Sequence, residues 1–165
     1  MNLNNIEIRL ASPADAESIA GVLYAAFVEY QRLYTAEGFR VTVSDASMVR
    51  DRINEGPVWV ALLDQLIVGT AGAVAHGDSL YIRGMAVLPS ARDNGVGQKL
   101  LKHIEKYARS QSFERMFLST TPFLDRAIAL YEHFGFRRAD YGPSHLFETP
   151  LFTMEKSLKD EPAKP

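Results

Sequence analysis

The stretch from Met85 to Leu101 constrains this chain more than any other. An apolar run, Met85-Ala86-Val87-Leu88, meets Pro89, passes through Arg92-x-x-Gly95-x-Gly97, and continues directly into a segment with helical periodicity. Two glycines two apart let the backbone approach a ligand with no Cβ in the way. A helix that starts there turns its unpaired N–H groups and the positive end of its dipole to the same point. Such a junction cradles phosphate. Its spacing departs from a P-loop, because Gly97 follows Gly95 too closely and no hydroxyl residue follows Lys99. It departs from a dinucleotide fingerprint as well, since Leu100 stands where the third glycine belongs.

Further along lies Arg126-Ala127-Ile128-Ala129-Leu130-Tyr131-Glu132-His133-Phe134-Gly135-Phe136. The two segments, in this order, resemble the GNAT superfamily of N-acetyltransferases. Arg92-x-x-Gly95-x-Gly97 looks like its acyl-CoA-binding signature, and Ala127-x-x-Leu130-Tyr131-x-x-x-Gly135-Phe136 like its fourth helix and the turn after it. The resemblance implies an α/β fold of the α+β type: a central, mixed but mostly antiparallel twisted sheet of about seven strands with four helices. It also implies that strands 4 and 5 splay apart to admit the cofactor's pantetheine arm.

The element order read from the residues agrees with that fold along the whole domain. Ile6, Ile8 and Leu10 alternate with polar residues as in a half-buried strand. Ser12-Pro13 opens a helix whose apolar face carries Ile19, Leu23, Phe27, Tyr30 and Tyr34. Gly38-Phe39 breaks it, and Ser44 or Asp45 caps a second helix burying Met48, Val49 and Ile53, closed by Gly56-Pro57. Val58 to Leu63, Leu66 to Ala75 and Leu80 to Leu88 form an antiparallel run of three strands, with Gly84 marking a bulge or close approach. The helix after Gly97 buries Leu100, Leu101, Ile104, Tyr107 and Ala108. A short strand, Met116 to Thr120, precedes the fourth helix, which Gly135 ends, and a closing hairpin finishes with Leu151 to Glu155. An exposed final strand offers an edge for a homodimer.

With 165 residues, 47% hydrophobic and 23% charged, the chain is long enough to bury one core. Residues 1–158 read as a single domain and 159–165, polar with two prolines, as a flexible tail. A net charge of -2 argues against nucleic acid as a partner. The first residues lack the basic region and apolar run of a signal peptide, and no window is long and apolar enough to span a membrane. A cytoplasmic location without a membrane partner is expected. The absence of cysteine removes disulfides, cysteine metal sites and an acyl-cysteine intermediate. No histidine and carboxylate set has metal-ligand spacing, so no metal is expected.

The resemblance assigns roles residue by residue. Acetyl-CoA is the implied co-substrate, with the main chain of Met85, Ala86 and Val87 pairing with pantetheine as an added strand. The Met85 N–H faces the thioester carbonyl as an oxyanion donor. The loop Arg92, Asp93, Asn94, Gly95, Val96 and Gly97 receives the diphosphate, with the Arg92 guanidinium adding charge. Tyr131 matches the tyrosine that protonates the departing thiolate. By its residue type alone it could equally be a core tyrosine, just as Met85 and Val87 could be plain core residues. Leu124 stands where many relatives carry an asparagine that contacts the cofactor, a contact Ser119 or Thr120 is placed to replace.

An alkyl amine of pKa ~10.4 must shed a proton before it attacks, at about 4.6 kcal/mol at pH 7. Glu29, Tyr30, His76 and Asp78 are the candidates to take it, with Glu29 first, and a water chain is the alternative. His103 and His133 read as exposed helix histidines. Aromatic residues Tyr30, Tyr34, Phe39, Tyr141 and Phe147 point to a partly apolar acceptor pocket in which Glu29 and Glu37 attract a cation. The reading is therefore an N-acetyltransferase acting on a small-molecule or peptide amine in a ternary complex. Its rivals are a non-catalytic acyl-CoA sensor or scaffold of the same fold, and an ATP-binding domain.

Overall fold

A computed structural model describes residues 5–159; the expected tail from residue 160 on lies outside the described residues. In chain order the elements are β1 (Ile6–Leu10), α1 (Ala16–Phe27), α2 (Ala36–Thr42), α3 (Ala46–Glu55), β2 (Val58–Leu63), β3 (Leu66–His76) and β4 (Ser79–Val87). There follow α4 (Val96–Ser110), β5 (Arg115–Thr120), α5 (Asp125–His133), β6 (Arg137–Ala139), β7 (His145–Leu146), β8 (Thr149–Pro150) and β9 (Phe152–Ser157). Seven strands form one sheet in the order β1-β2-β3-β4-β5-β9-β6, and β7 and β8 make a separate small hairpin. Every pairing is antiparallel except β4 with β5.

β2 reads as an unbroken apolar run because both of its faces are covered. Trp59, Ala61 and Leu63 pack under α4, with Leu100, Leu101 and Ile104 wholly buried against them. Val58 and Val60 point the other way, into a second layer with Ile19 and Leu23 of α1 and Val49 of α3. Full burial of one such leucine or isoleucine stabilises by roughly 1.5–3 kcal/mol, so these two layers hold the sheet between its helices. The β2–β3 turn, Asp64-Gln65, has φ of 51° and 67°, the geometry of a two-residue hairpin that matches the strands' twist.

Local chemistry sets the helix starts. The Asp45 carboxylate accepts from the Met48 N–H at 2.9 Å, which makes Asp45 rather than Ser44 the cap of α3. Ser12-Pro13 begins a single 3-10 turn, Pro13–Asp15, and α1 follows it. α1 then tightens into a second 3-10 stretch, Val28–Leu33, so Tyr30 and Tyr34 leave the expected helical stripe.

Five α-helices stand where the sequence led us to expect four. Thr35 Oγ1 accepts from the Gly38 N–H and starts α2 across what reads as a break. The last strand also differs from expectation. β9 lies between β5 and β6, paired on both sides, so it offers no free edge to a second copy. Phe136, buried under the sheet, pulls the chain back so that β6 takes the edge. His103 is half-buried instead of exposed, with its ring 5.8 Å from that of Trp59.

Candidate active site

β4 and β5 pair only at Ser79–Arg115, Leu80–Met116 and Tyr81–Phe117, and then diverge. The cause lies in β4 itself. Gly72 of β3 pairs with Arg83 while Thr70 pairs with Ala86, so Ala71 alone faces Gly84 and Met85. This is a bulge, and Gly84 meets its geometry with a φ of 62°. The bulge reverses the strand's parity: Leu80 and Ile82 face α4 before it, Met85 and Val87 after it, while Ala86 turns to the α1 layer. From Ile82 on, the β4 edge facing β5 carries no ladder bond.

A cavity of about 1000 Å³ fills the gap. At one end it meets the start of α4. Gly95 is the N-cap there, in the left-handed region at φ 78° and ψ 11°, and no side chain caps the helix. A Cβ on Gly95 would meet nothing within 4 Å, which leaves open room before the first-turn N–H groups. The loop before it is braced from within, as Asn94 Nδ2 donates to the carbonyls of Ala91 and Arg92, both at 3.2 Å. Asp93 and Arg126 pair at 3.3 Å across the mouth, both well exposed. Gly97 has a different reason to be glycine: a Cβ there would stand 2.7 Å from Leu130 Cδ2 of α5.

Tyr131 lines the same cavity beside β4 and is 7% exposed. Burial, with Tyr34 nearby, pushes its phenol well above the usual tyrosine range, so it holds its proton at any physiological pH. Ser119, Thr120 and Leu124 also line the gap, so the two hydroxyl residues and the leucine share one cavity.

Three expected groups are otherwise engaged. Arg92 donates to the Ala26 carbonyl at 3.0 Å and pairs with Glu29 at 2.5 Å, which ties the loop to the end of α1. Its charge is therefore already matched. Glu29 is outside the cavity lining, and Glu37 pairs with Arg40 at 2.6 Å on the surface. Neither carboxylate is free to draw a cation inward. His76 and Asp78 sit on the β3–β4 turn, exposed and away from the lining, whereas Tyr30 and Tyr34 line it.

Among the lining residues that escaped the sequence reading are Arg52 of α3, Arg83 of β4 and His145 of β7, and His133, read only as an exposed helix histidine, lines the cavity as well. Arg52 carried a legible signal, since it follows Val49 by three on the buried stripe of α3, where a cation is out of place. His145, whose Nδ1 lies 2.9 Å from Ser144 Oγ, sits in a two-residue strand too short for any periodicity to announce it. Among the described residues no group of three or more metal-ligating side chains could hold a metal ion, and no helix is long and apolar enough to cross a membrane.

The chain matches the family model for the acetyltransferase (GNAT) family over residues 23–136. It is 38% identical over 87 residues to the uncharacterized N-acetyltransferase YjgM of Escherichia coli K12, covering 50% of this chain and 52% of that one. The chain spans about half the length of the curated relatives it matches. Among solved structures it is similar to the PaiA N-acetyltransferase of Thermoplasma acidophilum in complex with coenzyme A. That likeness has a TM-score of 0.78 and 20% identity, over 92% of this chain and 98% of that one. A putative acetyltransferase of Salmonella typhimurium, solved with acetyl-CoA, superposes with a TM-score of 0.72 at 23% identity over 98% of both chains. At these identities the structural likeness is one of fold.

Proposed function

Since the chain belongs to the GNAT acetyltransferase family, we propose that it is an N-acetyltransferase that passes the acetyl group of acetyl-CoA directly to an amine acceptor. The observation that carries this is the gap beside the unpaired edge of β4, which ends at the uncapped start of α4. The room before Gly95 fits a diphosphate on backbone N–H groups, and the free edge of β4 fits an extended amide chain. Structural neighbours solved with coenzyme A and acetyl-CoA support the same ligand. Residues 1–158 then act as one catalytic domain.

Acetyl-CoA supplies an activated acyl group as its thioester. In this reading the N–H groups of Gly95, Val96 and Gly97 hold its diphosphate, with Asp93 and Asn94 shaping the loop. Arg92 braces that loop through Glu29 rather than meeting phosphate. The main chain of Met85, Ala86 and Val87 positions the pantetheine arm. The Met85 N–H, re-aimed by the bulge, polarises the carbonyl, a contribution of about 3 kcal/mol when well directed. Tyr131, kept neutral by burial, hydrogen-bonds the departing thiolate; the same burial makes it a weaker acid, so it passes its proton only as negative charge builds on the sulfur. Asp93 is the one carboxylate in the lining and is paired to Arg126, so the amine's proton leaves by water or His145.

The test joins coenzyme A binding by calorimetry with thiol release from acetyl-CoA across a panel of amines. Tyr131→Phe should bind coenzyme A as the wild type does while kcat falls on the order of 100-fold. Equal turnover by this variant removes Tyr131 from the chemistry. Binding without thiol release for any amine identifies a sensor or scaffold instead.

A further inference from the structure

Arg52 is the feature the acetyl-transfer chemistry does not use. It lies on the buried side of α3, between Val49 and Ile53, and its half-buried guanidinium reaches the bulge of β4. A Cβ on Gly84 would stand 2.8 Å from its Nη1. Glycine at the bulge thus serves two ends, the backbone turn and the seat of this cation. Among the described residues no hydrogen bond or ion pair reaches the guanidinium. Its neighbour Arg83 takes the direct ion pair with Glu55, and Arg52 feels that carboxylate only at longer range. Burial first, and then the nearby Arg83, work against the charge on Arg52, and Tyr81 and Glu55 offset only part of this. A half-buried guanidinium that no protein acceptor among the described residues engages is costly to keep, and the arrangement makes sense if the ligand brings the acceptor.

The rest of the lining says what that ligand carries. The acceptor end of the cavity has no carboxylate of its own, since Asp93 lies at the α4 end and is paired. A polyamine or other polycation would meet the Arg52 charge with no carboxylate in the lining at that end to offset it. Planar forks such as guanidinium match a carboxylate in bidentate fashion. Position narrows the choice further. Arg52 sits against Gly84, and the next residue, Met85, is the one whose N–H faces the reacting carbonyl in the proposed reaction. An anion held at Arg52 therefore lies one residue along β4 from the reacting centre, which suits an amine and a carboxylate carried on one small molecule. Tyr34, Tyr81 and Val41, also in the lining, leave a partly apolar place for the remainder of the acceptor.

Resting on the acetyltransferase reading, we infer that the acceptor is a free amino acid or a close analogue, and that Arg52 binds its carboxylate next to the amine. The full chain is to be assayed with acetyl-CoA and matched triads: phenylalanine, phenylalaninamide and phenethylamine, then leucine, leucinamide and isoamylamine. The same acids are titrated by calorimetry into the protein saturated with coenzyme A, which reads carboxylate capture without turnover.

In the wild type the best amino acid should exceed its amide and its decarboxylated amine at least tenfold in kcat/KM. Arg52→Gln should erase that preference, mainly through KM, with coenzyme A binding unchanged and thermal stability equal or higher because a buried charge is gone. Arg52→Lys should restore part of it. Amides or simple amines used as well as the acids overturn the inference, as does a preference that survives Arg52→Gln. Coenzyme A binding with no acid either acetylated or bound overturns it too. Failure to bind coenzyme A at all brings down the enzyme reading first, and is seen separately.

Discussion

Gly97→Ala separates two reasons for a glycine that the sequence cannot tell apart. In the motif both glycines look like points of ligand approach, yet a Cβ at Gly95 meets open space while one at Gly97 meets Leu130 Cδ2 at 2.7 Å and Met85 Cε at 3.6 Å. Carbon atoms prefer about 3.5–4.0 Å, so either α5 shifts by about 1 Å or Leu130 leaves its rotamer. Overpacking of this kind destabilises by about 1–3 kcal/mol, offset by at most about 1 kcal/mol from replacing a helical glycine. A net loss of about 1–2 kcal/mol follows, or about 2–4 °C in Tm for each kcal/mol. Leu130→Ala removes the clashing methyl, and in that background Gly97→Ala should be neutral or slightly stabilising. Urea unfolding of the four proteins closes the double-mutant cycle, with an expected coupling of about 1–3 kcal/mol. Gly95→Ala is the control: its φ of 78° makes alanine unfavourable by about 1–2 kcal/mol whichever residue stands at 130. The same penalty for Gly97→Ala in both backgrounds would refute the packing account.

Two further outcomes follow from charges outside the chemistry. Asp15 is held down to about 2 by Arg9 at 2.8 Å and by the Ser12 N–H, so its contribution is complete above its ordinary value and fades as pH falls toward 2. Arg9 is partly solvated, so about 1 kcal/mol is at stake, and Asp15→Asn should flatten the decline in Tm between pH 4 and pH 2 by that amount. Asp93→Asn releases exposed Arg126 and removes a negative charge from the mouth of the cradle. Coenzyme A should bind a few-fold tighter at low salt, with the gain vanishing at high salt when titrated calorimetrically; unchanged affinity at low salt would mean that the pair stands clear of the ligand.

What the sequence made legible divides along a physical line. β2, α4 and the α5 motif were readable because burial imposes a period: Trp59, Ala61 and Leu63 against Val58 and Val60, or Leu100, Leu101, Ile104 and Ala108 along one helix face. Gly84 was readable as a bulge because few other residues tolerate its φ. Features decided by pairing between distant residues were not. Thr35 is a local cap for α2, but Gly38 three residues on reads as a break, and the threonine hydroxyl is fixed by donating to the Phe147 carbonyl at 2.6 Å, far along the chain. The interior place of β9 is set by which strand reaches β5 first, and a linear pattern does not encode that. Glu29 looked like a free base only because its partner, Arg92, is remote in sequence. Arg52 is the opposite case. Its neighbours Val49 and Ile53 mark its face as buried, so the local pattern of α3 alone marks a cation out of place. A charge that breaks a well-kept apolar stripe is a stronger pointer to a ligand than a charge in a loop, because folding alone gives no reason to keep it.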